Sequence, residues 1–264
     1  MRLPQLENPQ VAATLLRTCA SFCKLGHLAR TVPPRTASPA LKEFDKMVRR
    51  CYEESAVVNT THRSWTQAQL PVRLGGVGLR SVEEHSSAAF ISSHTSAMGP
   101  ETDLRLLNDA IEVYNDKIGD NQATYQVSDL VRQKALSERI DRHQFESLKE
   151  SGSLVEKARL ISLAESHAGD WILAQPSKAL GLAFSPIEYH MLVKWRLGLN
   201  LFPEKATCSS CPSETLDQLG QHAMTCKRGP GICRRHNTLR DCIADYCRRA
   251  QLNPILEAGS GYLN

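Results

Sequence analysis

Residues 208–226 read CSSCPSETLDQLGQHAMTC. Two residues separate Cys208 from Cys211, ten then lead to His222, and three more lead to Cys226. Structural zinc sites use four cysteine or histidine ligands in a tetrahedron, and a two-residue gap lets one tight turn direct both thiolates at one point. The three-residue gap places His222 and Cys226 one helical turn apart. The stretch therefore predicts a zinc knuckle with one structural Zn²⁺, since four protein ligands leave no position for a reacting water.

Nearby cysteines and histidines allow two alternatives to this set of four metal ligands. His236 or Cys233 could replace one of the four ligands. Alternatively, Cys233, His236, Cys242 and Cys247 could form a second metal site. Against it, Cys242 and Cys247 lie five positions apart and point to different faces of a helix. The remaining histidines are dispersed along the chain and predict no catalytic group.

A basic segment follows the last predicted ligand. Residues 227–249 carry seven Lys or Arg against two Asp, a net charge of +5. The predicted phosphate contacts are Lys227, Arg228, Arg234, Arg235, Arg240, Arg248 and Arg249. The apolar face of a helix here is formed by Leu239, Cys242, Ile243 and Tyr246, so the arginines are expected to project outward toward an RNA or DNA backbone.

The rest of the chain reads mainly as helix, with few alternating strand patterns. The apolar positions recur at helical spacing in four segments, which cover about 11–23, 41–52, 104–118 and 187–199. Pro33, Pro34 and Pro39 are expected to separate the first two helices. This pattern places Cys19, Cys23 and Cys51 in the core.

Composition and charge indicate a globular chain that binds a polyanion. The 264 residues are 41% hydrophobic and 23% charged, and no run of about 18 apolar residues occurs, which predicts neither a membrane span nor a secretory signal. The expected location is intracellular, in the nucleus or cytoplasm, without a membrane partner. Residues 1–51 carry a net charge of +6 and residues 52–204 a net charge of −5. Basic ends around an acidic middle favour binding to phosphate backbones.

A glycine-rich string, LPVRLGGVGLR, occupies residues 70–80. Three glycines in four positions break helical continuity and indicate a turn or a close backbone approach. The Lys-Ser/Thr pair of a nucleotide-binding P-loop is missing, so the string does not predict a nucleotide site.

Residues 67–81 with Ala88, Ala89, Phe90 and Ile91 resemble the region after the polymerase core in reverse transcriptases of non-LTR retrotransposons. Residues 15–19, 30–34 and 44–45 are similar to the helical thumb or connection segment of those polyproteins. Downstream, the predicted ligands and residues 235–241 resemble the zinc knuckle and helix that lead into a restriction-like endonuclease domain.

The resemblance implies a mostly α fold, a helical thumb-like body with a small CCHC zinc knuckle near the C-terminus. It divides the chain into a thumb or connection-like region (1–100), a helical linker region (101–200), and the zinc knuckle with its basic helix (201–264), which ends at the start of an endonuclease-like domain. Glu257 could match the first glutamate of that endonuclease. The implied partners are RNA or DNA and other proteins of the same element.

Neither catalytic site of the family is complete in this sequence. Polymerisation by two-metal phosphoryl transfer needs paired aspartates, and no adjacent Asp-Asp pair occurs. The chain is therefore expected to bind nucleic acid without being an enzyme by itself. The competing hypothesis is a zinc-stabilised protein-interaction module, in which the acidic middle makes the contacts.

Overall fold

A computed structural model describes residues 2–97, 104–119, 132–212, 214–229 and 231–256. The described part is mostly helical, as the sequence predicts, and its only strands form one short hairpin. The chain divides into two units, residues 1–199 and 200–264. The predicted boundary near residue 100 stays a prediction, and Glu257 lies outside the described residues. Among the described helices, none combines the length and the apolar content needed to cross a bilayer.

The N-terminal apolar stripe does not form one continuous helix. Helix α1 (Pro9–Leu15) begins where the Asn8 side chain accepts hydrogen bonds from two backbone N–H groups. A π-helical turn follows (Leu16–Ala20), then a 3₁₀ turn (Phe22–Lys24) and helix α2 (Gly26–Thr31). The predicted stripe already misses the buried face of α1, where Leu15 is 39% exposed while Ala12, Ala13 and Leu16 are buried. The π turn then changes the register of the residues after it, because it adds a residue to the turn. Cys19 and Cys23 are consequently exposed, so their prediction as core residues was wrong; Cys51 is buried as predicted.

Helix α3 (Pro34–Ala56) begins at the second of the three prolines and contains Pro39. Pro34 fits the first helical position, where its missing N–H needs no partner. Because Pro39 lies inside α3, the helix break that the sequence predicts there does not occur in this segment. Helix α3 buries one face, which contains Leu41, Val48, Cys51 and Tyr52.

Helix α5 (Val82–Ser96) is the centre of the first unit. It packs against α2 and α3 and against α6 (Leu104–Ile118) and α7 (Gln133–Glu150). Its N-terminus is held by Asp45 of α3, whose carboxylate accepts from the backbone N–H groups of Val82 and Glu83 at 3.0 and 3.1 Å. The other α-helices in the described part of this unit are α4 (His62–Gln69), α8 (Leu154–Leu163), α9 (Asp170–Leu173) and α10 (Pro186–Leu197).

The glycine-rich string makes the close backbone approach that the sequence predicts. A Cβ atom at Gly76 would lie 1.9 Å from the carbonyl oxygen of Leu70. Arg196 of α10 is fully buried against this loop and donates to the carbonyl oxygens of Gly76 at 2.9 Å, Val72 at 2.8 Å and Ala168 at 3.3 Å. Burial lowers the pKa of Arg196 to about 10, so the guanidinium remains charged at neutral pH.

The second unit contains the hairpin and two helices. Strand β1 (Ala206–Thr207) pairs antiparallel with β2 (Thr215–Leu216), and helices α11 (Gln221–Thr225) and α12 (Gly231–Arg249) follow. The expected helix over the basic segment is present. Its apolar face is nevertheless open, since Leu239, Ile243 and Tyr246 are 63, 54 and 65% exposed.

Candidate metal centre

The first pair of sulfur donors lies in the β1–β2 hairpin. Cys208 follows β1 directly, and its N–H donates to the carbonyl of Glu214 at 3.1 Å. The N–H of Glu214 in turn donates to the carbonyl of Cys211 at 3.0 Å. These bonds close a tight turn between the strands, which directs both buried thiols to the same side. The hairpin therefore supplies the geometry expected from the two-residue gap.

Helix α11 supplies the second pair of donors. Gly220 precedes it with φ +77°, and the Asp217 carboxylate accepts from the N–H of Gln221 at 3.0 Å and of His222 at 2.7 Å. Although desolvation opposes them, these N–H groups lower the pKa of Asp217. The N–H of Cys226 donates to the carbonyl of His222 at 2.8 Å, so both donors lie on one turn. Asp217 thus fixes the backbone of a predicted ligand.

The four donors converge. One ligand atom each from Cys208, Cys211, His222 and Cys226 lies within 4.8 Å of all the others. The Cys211 sulfur is 3.0 Å from His222 Nε2 and 3.6 Å from the Cys226 sulfur, which is 3.9 Å from the Cys208 sulfur. Tetrahedral zinc with bonds of about 2.3 Å to sulfur would place sulfur atoms about 3.8 Å apart. The cluster could therefore hold one metal ion, and its soft donors are those that zinc prefers.

The surroundings shift the pKa values of the Cys208 and Cys211 thiols in opposite directions. Backbone N–H groups of Ser210 and Cys211 lower the pKa of the Cys208 thiol to about 6. Desolvation and the neighbouring Cys226 and Cys208 thiols raise the pKa of Cys211 to about 12. A dication at the centre would reverse the second effect, because it stabilises every thiolate that it contacts.

The alternative ligands lie outside this cluster. Neither Cys233 nor His236 belongs to it, and both are exposed on α12. Within the described part of the chain, the alternative second set of Cys233, His236, Cys242 and Cys247 forms no group that could hold a metal.

The predicted phosphate contacts lie around the start of α12 and along it. All are exposed except Arg240, which is half-buried. Three of them already have partners in the structure: Arg235 donates to the carbonyl of Met224 at 2.6 Å, Arg240 pairs with Asp241, and Arg249 pairs with Asp245. Of the seven, Lys227, Arg228, Arg234 and Arg248 have side chains that form no ion pair or hydrogen bond with any described residue.

The capping role of Asp217 was missed by the sequence reasoning. An acidic residue shortly before a short helix is a signal for such a cap, because a carboxylate can accept from the first free N–H groups. Here Asp217 lies four and five positions before the two groups that it holds.

Asp217→Asn is expected to weaken Zn²⁺ binding about tenfold. Asparagine keeps one carbonyl oxygen, so one of the two N–H groups loses its acceptor and the His222 backbone is held less firmly. Competition with a chromophoric chelator would measure the affinity. Glu204→Gln is the matched control, since it removes one exposed negative charge from the same unit. Equal affinities for both variants would contradict the role assigned to Asp217.

No protein-family model, no curated protein and no solved structure matches this chain. Its chemistry must therefore be read from its own residues. They define a Cys₃His cluster beside an exposed basic helix.

Proposed function

We propose that this chain is a nucleic-acid-binding segment whose C-terminal unit is organised by one structural zinc ion. We further propose that it is related to the C-terminal region of non-LTR retrotransposon reverse transcriptases and binds nucleic acid without processing it. The observation that carries the binding proposal is the group of four exposed cations without partners among the described residues, Lys227, Arg228, Arg234 and Arg248, in the same unit as the metal cluster. The string at residues 67–81 supports the relationship.

Zinc has a structural role in this proposal because the second unit buries little else. Its buried apolar residues, within the described part, are Cys208, Cys211 and Ala244. The hairpin has strands of two residues each, and α11 has five residues. Burial of so few apolar side chains does not offset the conformational entropy that is lost when these segments become ordered. Binding of a metal by such a site contributes directly to folding. The bound ion would then fix the positions of α11 and of the start of the basic segment, because His222 and Cys226 are two of its ligands.

The exposed cations suit phosphate contacts. An arginine without a carboxylate partner loses no ion pair when it binds a phosphate, whereas Arg249 would first have to leave Asp245. Each neutralised phosphate releases counterions, so binding should be strongest at low salt.

The triple variant Lys227→Gln, Arg228→Gln, Arg234→Gln is expected to weaken binding of single-stranded RNA and to reduce the slope of log affinity against log salt by about two. Fluorescence anisotropy over a range of salt concentrations measures both quantities. Arg235 and Arg240 are left intact because each makes a hydrogen bond or ion pair within this unit. Substituting them could weaken binding by disturbing the fold rather than by removing a phosphate contact.

The matched control is Lys134→Gln, Arg142→Gln, Lys178→Gln, which removes three exposed positive charges from the acidic middle of the chain. A salt slope that is unchanged in the first variant, or reduced equally in the control, would argue against the proposal.

A second candidate function is protein interaction, and the open apolar face of α12 favours it. Leu239, Ile243 and Tyr246 expose most of their apolar side chains. Exposed apolar surface of this kind is typical of interfaces between proteins. Capture of a protein partner that is lost with Ile243→Ser but unaffected by nuclease treatment would support this function over the first.

A further inference from the structure

A cleft in the first unit, here called the Arg17 cleft, lies between the π-helical turn and the glycine-rich loop. It has a volume of about 420 Å³, and its walls include Arg17, Phe22, Pro71, Arg73, Gly78 and Arg80. Three arginines line it, and no carboxylate is among the described residues that do so. Its chemistry is therefore cationic with apolar patches.

Arg17 has no partner for its charge among the described residues. Desolvation lowers its pKa, and the groups that act in the opposite direction are Tyr189 and Tyr52. The pKa values of both tyrosines are raised by burial, so they are neutral and compensate no charge. A partly desolvated guanidinium that lacks an acid partner is suited to bind an anion, because it loses no existing ion pair when it does so.

Two backbone features place Arg17 at the cleft. It lies in the π-helical turn Leu16–Ala20, and such turns often occur at functional sites. Gly78 has φ +78°, and a Cβ atom there would lie 3.0 Å from Cδ of Arg17. Any other residue at position 78 would therefore press on the arginine side chain as well as strain the backbone.

The other two arginines differ in how firmly they are held. Arg80 pairs with the buried Asp141 at 2.7 Å, and its guanidinium carbon lies 5.9 Å from the centre of the Phe22 ring. Arg73 makes only an exposed contact of 3.4 Å with Glu138, which contributes little in water. Arg73 can therefore turn to a ligand, while Arg80 stays as part of the wall.

We propose that the Arg17 cleft binds a phosphate group, with Arg17 as its main contact and Arg73 as the second. The apolar wall beside it suits the sugar or base that accompanies a phosphate in a nucleotide chain. The phosphate belongs either to a nucleic-acid strand or to a free phosphate ion. This site does not depend on the cations near α12, which belong to the other unit.

The test uses the full chain carrying the triple substitution at Lys227, Arg228 and Arg234, so that the basic segment does not mask the cleft. Inorganic phosphate and a single-stranded oligonucleotide of roughly twelve nucleotides are titrated separately by calorimetry. We expect Arg17→Gln to weaken binding about tenfold or more, Arg17→Lys to retain part of it, and Arg73→Gln to weaken it several-fold. Arg50→Gln, an exposed arginine outside the cleft, should leave binding unchanged.

The two probes distinguish the source of the phosphate. Binding of the oligonucleotide alone assigns the cleft to a strand, and binding of both assigns it to the phosphate group itself. Failure of both probes to bind would overturn the proposal, as would wild-type affinity in Arg73→Gln or an equal loss in Arg50→Gln. If Arg17→Gln does not fold, the exposed Arg73 and its Arg50 control decide the question.

Discussion

Cys211→Ser is expected to abolish stoichiometric Zn²⁺ binding and to unfold the second unit. The hydroxyl of serine is a poor zinc ligand, and the other three donors cannot complete the tetrahedron. We expect the affinity for Zn²⁺ to fall by more than about a hundredfold, since even changes beyond the ligands cost ten- to a hundredfold. Metal analysis gives the stoichiometry. Hydrogen exchange at residues 200–256 should show loss of protection in α11.

The first unit provides an internal reference for this experiment. All three tryptophans, Trp65, Trp171 and Trp195, lie in residues 1–199, so tryptophan fluorescence reports that unit alone. It should be unchanged in Cys211→Ser. Cys242→Ser is the matched control, because this exposed thiol lies outside the cluster. Retention of one zinc per chain by Cys211→Ser would disprove the assignment of the ligands.

Gly76→Ala is expected to destabilise the first unit by about 4 kcal/mol or more. The added Cβ would lie 1.9 Å from the carbonyl oxygen of Leu70, 2.5 Å from its carbon, and 2.6 Å from the carbonyl oxygen of Gln67. These are backbone atoms in a hydrogen-bonded loop, so they cannot move aside as a flexible side chain would. Urea denaturation followed by tryptophan fluorescence measures the loss.

Gly26→Ala is the control for this substitution. A Cβ at Gly26 meets no atom within 4 Å, so the free energy of unfolding should change by less than about 1 kcal/mol. If Gly76→Ala and Gly26→Ala unfold at the same urea concentration, the added Cβ at position 76 does not clash with the backbone of Leu70 and Gln67, which would contradict the close approach at Gly76.

The metal cluster was predictable because its geometry is local. All four donors lie within residues 208–226, and the spacing of each pair restricts them to a tight turn or a single helical turn. The helices were predictable for the same reason, since helical periodicity depends on residues three and four positions apart.

The features that escaped prediction depend on distant parts of the chain or on fine changes of pitch. Periodicity placed Leu15, Cys19 and Cys23 on a buried face, whereas α1 buries Ala12, Ala13 and Leu16, and no local pattern reports the π-helical turn that follows. It identified the apolar face of α12, but not that this face remains open in the described residues. The Asp45 cap of α5 and the burial of Arg196 join segments far apart in sequence, so no local pattern marks them.

The bond between Arg196 and Gly76 spans 120 positions, which has a consequence for synthesis on the ribosome. Chain elongation is vectorial, at about 5–20 residues per second. The carbonyl groups of Val72 and Gly76 are therefore synthesised several seconds before Arg196, the residue that donates hydrogen bonds to them. During that interval water is the hydrogen-bond donor open to these carbonyls, and the core around the loop stays incomplete until α10 has left the exit tunnel.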